Sequence, residues 1–169
     1  MAFAVTASNA QEKSDFTAET SSSTINWKGY KPTGSHHGII ALQSGNLNVD
    51  GENLTGSFTV DMSTIKDADG SVKLEGHLKS KDFFEIEVYA TSKFEITSTE
   101  TKNGKVHVTG HITIKDVTKE ITFPATISKG TNTVTLTSET FKINRAEFKI
   151  QYKSKSFCNN LKEKFLKNP

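Results

Sequence analysis

Five histidines, one cysteine and one arginine are the side chains of this 169-residue chain best suited to chemistry or to gripping a charged group. His36 and His37 are adjacent. Neighbours in a strand point to opposite faces, so this pair cannot close on one metal ion. His107 and His111 would share a face, but four residues of strand span about 13 Å, too far for a common ion. The spacing therefore predicts no metal site. The histidines read as polar or rim residues, with one of the His36–His37 pair able to hydrogen-bond a ligand head group at a cavity mouth. Cys158 is the only cysteine, which excludes an intrachain disulfide and a cysteine zinc cage. No neighbouring histidine or basic cluster would activate it, so a buried structural thiol is expected. A nucleophile elbow, a phosphate loop and a dinucleotide fingerprint are all missing from the sequence. The chain reads as a binder without a catalytic group and without a cofactor beyond a bound ligand.

Charge narrows the partners. There are 21 basic and 19 acidic residues, a net charge of +2, with Lys and Glu interspersed. No broad basic field results, and Arg145 is the sole arginine, so nucleic acid is not an expected partner. Lys79 and Arg145 could be solvated surface charges or could touch a polar head group. No run of about 18 apolar residues exists, so no membrane-spanning helix is expected.

These residues must be held by strands. Hydrophobic residues make up only 34% of the chain and are spread thinly, as suits sheets with one wet face. Ile25 and Trp27 share a face, and Leu54, Phe58, Val60 and Met62 nearly alternate. Further alternating sets are Phe94/Ile96, Val106 to Ile114 through Gly110, Ile121 to Ile127, Val134/Leu136, Phe141/Ile143 and Phe148/Ile150/Tyr152. Asp50-Gly51 and Asn103-Gly104 read as type I′ hairpins, and Lys129-Gly130 with Asn132 as another turn. Short strands joined by tight turns give an all-β antiparallel meander, closed as a barrel or stacked as a sandwich. Leu74 and Leu78, four apart, predict a short helical plug on one end. Phe157, Leu161 and Phe165 predict a C-terminal amphipathic helix over Ser154–Lys167. Since only Asn168-Pro169 follow, a last strand is expected to be missing, leaving edges that would invite pairing, for instance as a homodimer. At the other end, Met1–Ala10 is small and apolar with Ser8-x-Ala10 spacing, like the tail of a signal peptide, or else a plain loose terminus. Residues 11–23 read as a disordered leader. The domain is expected over residues 24–169, after a partial signal peptide and leader at residues 1–23.

Several blocks resemble the YceI-like family, of the branch common in Bacteroidetes. Trp27–Lys31 followed by Gly34–Gly38 is similar to its opening, and Leu74–Phe84 to its most recognisable motif. Tyr89–Ser98 follows, with Ala90 where the family usually has proline. Val108–Lys119 has Asp116 where glycine is common, and Asn144–Phe148 resembles the late block. The resemblance runs from about Thr24 to Leu166, in family order. It implies export to the periplasm or outside the cell. It also implies a lipocalin-like barrel whose interior holds an isoprenoid chain, a polyprenyl lipid or a quinone, and a final strand after the C-terminal helix. The expected ligand contacts are Trp27, His36, His37, Phe58, Phe83, Phe84, Phe94, Ile96, Ile112, Phe123 and Arg145. Large aromatics are equally core residues, so Phe83-Phe84 could be a gate or a plug. A barrel filled by its own phenylalanines would instead be a structural or interaction module without a ligand, acting in envelope stress response or partner binding.

Overall fold

A computed structural model of the protein describes residues 13–31, 33–150 and 162–168, the last stretch by its backbone. The alternating sets become strands. β2 (Thr24–Lys31) buries Ile25 and Trp27, and β4 (Asn53–Asp67) buries Leu54, Phe58, Met62 and Ile65. β3 (Gly34–Asp50) buries Ile40 and Leu42, then Leu47 and Val49. That change of phase is made at the register shift between Leu42 and Ser44, where Gln43 is the extra residue of β3; the shift between Ile39 and Ala41 puts its extra residues in β4. Each extra residue turns the following side chains to the other face. β5 (Thr91–Lys102), β6 (Lys105–Ile114), β7 (Val117–Lys129), β8 (Val134–Ser138) and β9 (Phe141–Asn144) continue the meander.

The strands pair antiparallel in the order β8-β7-β6-β5-β4-β3-β2, followed by β10 (Lys162–Asn168) and β9. β8 and β9 therefore sit at opposite ends of that order, yet only Glu139 and Thr140 separate them in the chain. Chain continuity brings the two edges together and makes a nearly closed antiparallel barrel. The Glu139 N–H extends the β7–β8 pairing by donating to the Pro124 carbonyl at 2.8 Å.

Two expectations are corrected at the ends. Residues 13–17 are not leader but a strand, β1 (Lys13–Thr17), which pairs with Asn46–Asp50 of β3. Its reason is Phe16, which packs against the core. The expected C-terminal helix is replaced over residues 162–168 by β10, seated between β2 and β9. Two unpaired sheet edges offer more backbone hydrogen bonds than a lone amphipathic turn could supply from outside. The strand expected to be missing is thus present. Residues 1–12 and 151–161, with the signal-peptide reading, Tyr152 and Cys158, lie outside the described residues.

Turns follow local chemistry. Asn103 and Gly104 have φ of 52° and 75°, the type I′ pattern. The Asp50-Gly51 expectation shifts by one residue: Gly51 and Glu52 are central, and only Gly51 has positive φ, at 67°. A second type I′ turn, unmarked by glycine, is Lys115-Asp116, with φ of 50° and 58°. Between β4 and β5 the chain crosses one end of the barrel as a plug. It contains α1 (Val72–Lys79), which Ser71 caps by accepting from the Leu74 N–H at 3.3 Å. A 3₁₀ turn, Arg145–Phe148, takes the place of the strand expected there and buries Phe148 at the same end.

Candidate functional site

The middle of the barrel contains a void of about 60 Å³. Phe58, Phe94, Ile112 and Phe123 line it, together with Phe141, Met62 and other aliphatic side chains of β2, β3, β4 and β6. The polar lining residues are Ser92, whose hydroxyl is 3.0 Å from the Met62 sulfur, and the exposed Lys93. The wall is a chain of rings. Phe94 and Phe123 lie 5.5 Å apart, and Phe123 stacks on Phe141 at 4.6 Å with planes 9° apart. Two glycines let the rings lie against the sheet. A Cβ on Gly45 would stand 2.5 Å from the Phe58 ring, and one on Gly110 2.7 Å from the Phe94 ring. Without side chains at those positions, the rings fold over the opposite strand and leave the axis open.

The predicted contacts fall into three groups. Phe58, Phe94, Ile112 and Phe123 come together around the void. Ile96 and Trp27 are buried outside its lining, and the Trp27 indole N–H donates to the Lys66 carbonyl at 3.1 Å. His36, His37, Phe83, Phe84 and Arg145 belong to the plugged end. Phe83 and Phe84 are buried, edge to face at 4.9 Å, which gives them the geometry of a plug. Arg145 is buried with its guanidinium 5.2 Å from the Phe83 ring. His37 is exposed and His36 half-buried, on opposite faces of β3 as strand geometry requires.

Sequence reasoning passed over two of the residues that matter. Phe141 was legible only as one apolar position of a short strand; its stacking on Phe123 depends on the barrel closing. Lys115 is buried, and its ammonium donates to the Phe83 carbonyl at 3.0 Å with Glu85 3.5 Å away. The available signal was the pair Ile114/Val117 flanking two residues, the length of a tight hairpin. At the root of the plug, the Glu75 carboxylate accepts from the Asp67 N–H at 3.0 Å and pairs with Lys66 at 3.2 Å. The Asp67 hydrogen bond, then Lys66, holds the Glu75 carboxyl below its ordinary range against the opposing effect of burial.

Known proteins place this architecture. The YceI-like domain profile matches residues 16–165. A UPF0312 protein of Pseudomonas putida is 32% identical over 94 residues, 54% of this chain and 49% of that protein. The chain spans about half the length of the curated relatives it matches. The crystal structure of Burkholderia cenocepacia BcnA superposes with a TM-score of 0.72 at 20% identity, covering 89% of this chain and 98% of that one. A polyisoprenoid binding domain from Saccharophagus degradans superposes with a TM-score of 0.63 at 9% identity, over 90% and 95% of the two chains. With a matching profile over nearly its whole length and the barrel these structures share, the chain belongs to the YceI-like family.

Proposed function

We propose that the protein binds the hydrocarbon chain of an isoprenoid lipid, a polyprenyl lipid or a quinone, inside the barrel, and carries, stores or sequesters it without chemical change. The observation that carries this reading is the void at the barrel's centre, walled by four phenylalanines. Burying apolar surface there yields about 25 cal/mol per Å². The family and the polyisoprenoid binding neighbour support an apolar ligand. Export to the periplasm or beyond the cell belongs to the same proposal and rests on the family resemblance of the sequence.

Size sets a condition. A dry cavity of about 150 Å³ takes up one benzene, and this void is 60 Å³. A prenyl chain therefore enters only if the Phe58, Phe94, Phe123 and Phe141 rings swing aside, with flexible Met62 adapting. The same number favours a second reading: a barrel closed by its own rings and acting through its surface as an interaction module. Lipid uptake separates the two. Purified full chain is incubated with a long-chain quinone or a polyprenyl phosphate and weighed by native mass spectrometry. One lipid per chain is expected, with retention lowered in Ile112→Phe, which narrows the lumen. A folded protein that stays empty with both lipids defeats the carrier reading.

A further inference from the structure

His36 at the start of β3, Asp67 at the end of β4 and Asp69 in the following turn converge beside the plug. One ligand atom from each lies within 4.8 Å of the other two. Asp67 is the informative member. Its side chain is 0% exposed, and its Oδ2 accepts from the Ser71 N–H at 3.1 Å. Its Oδ1 is buried with no hydrogen-bond partner. The atom it faces, His36 Nδ1, is equally buried and unpartnered, 4.0 Å away and beyond hydrogen-bond reach. A buried carboxylate oxygen and a buried imidazole nitrogen left without partners are costly, and both are electron-pair donors. The Asp69 carboxylate, exposed to solvent, closes the third side. Glu75 is not a further ligand, because its two oxygens are engaged by the Asp67 N–H and by Lys66.

We propose that His36, Asp67 and Asp69 bind one divalent transition-metal ion, with Zn²⁺ the preferred probe. One imidazole and two carboxylates suit Zn²⁺ and, more weakly, Mn²⁺, and the exposed side leaves a position for water. Calcium, which takes six to eight oxygens, is excluded by the imidazole and the small ligand count. Tetrahedral bonds to zinc put ligand atoms about 3.4 Å apart. The three groups need only a small inward rotation, which half-buried His36 and exposed Asp69 can make. The site was not foreseeable from histidine spacing, because its other ligands lie about thirty residues on. A bound ion would tie the root of the plug to β3, independently of whether the lumen holds lipid.

The test uses tag-free full chain stripped with chelator and titrated with Zn²⁺ against a chromophoric competitor. One equivalent is expected to bind, with Mn²⁺ weaker and Ca²⁺ silent. His36→Gln and Asp69→Asn, both at sites that are not fully buried, should each weaken Zn²⁺ binding by about tenfold or more. They should also abolish the rise in Tm that Zn²⁺ gives the unaltered chain. No saturable Zn²⁺ binding, or binding indifferent to both substitutions, overturns the site. So does a Tm that drops in His36→Gln while the unaltered chain shows no response to Zn²⁺, since that outcome assigns His36 and Asp67 to a plain ion pair.

Discussion

Lys115 illustrates how a single residue can fasten two parts of the molecule. It sits in a type I′ turn with φ of 50°, a conformation non-glycine residues adopt only when surroundings hold them. What holds it is the plug: the ammonium donates to the Phe83 carbonyl, lies near Glu85 and sits 5.9 Å from the Tyr89 ring. Lys115→Met keeps the apolar stem and removes the donor, leaving the Phe83 carbonyl buried without this partner. The expected loss is about 1–3 kcal/mol of stability, read as a lower urea midpoint at unchanged slope. An unchanged midpoint would mean the plug does not depend on this contact. The same scale shows what single residues conceal. Phe58, Phe94, Ile112 and Phe123 announced themselves as large apolar positions on alternating strands. Lys115 did not, because an exposed and a buried lysine are identical in sequence, and only the fold decides which carbonyl lies within reach.

At the scale of elements, α1 is joined to the barrel by Leu78, buried in the core with Leu74 packed against it, and by polar contacts at its root. Glu75, in its first turn, accepts the Asp67 N–H and pairs with Lys66. These contacts hold the Glu75 carboxyl below its ordinary value. Its stabilising effect is therefore complete above the unfolded pKa and is lost as pH falls through the lower folded value. Urea midpoints of the unaltered chain and of Glu75→Gln should differ at neutral pH and converge on acidification. A gap that stays constant with pH would remove the carboxylate from the account. The central strands and this helix were legible because period-two and i,i+4 patterns are local properties of the chain. The phase change within β3 was not, since an extra residue at Gln43 resets which side chains face inward. The terminal strands were not either. Phe16 in β1 packs on a core built by residues far along the sequence. The spacing of Phe157, Leu161 and Phe165 satisfies a helix locally, whereas the strand pairing of residues 162–168 is set by two edges elsewhere in the chain.

For the whole molecule, the proposed lipid binding depends on closure. β10 pairs through Glu163–Asn168 with β2 and through Lys162–Phe165 with β9, so one strand occupies the gap between the chain's early and late halves. The edges of β2 and β9 that face each other are thereby covered by β10 from within the chain. Deleting residues 162–169 should expose both edges and open the lumen past Ile25 and Phe141, two of its lining residues. The expected cost is about 3 kcal/mol or more, roughly 6–12 °C in Tm for a chain of this size. Increased binding of a dye that reports apolar surface should accompany it, with concentration-dependent association. Lipid retention should fall together with stability, because a hydrocarbon chain held by burial alone has no other anchor once water reaches it. If the shortened chain associated no more than the full one, melted at the same temperature and ignored the dye, the barrel would be closed by β8 and β9 without β10. The lumen would then owe its enclosure to the plug and the phenylalanine rings.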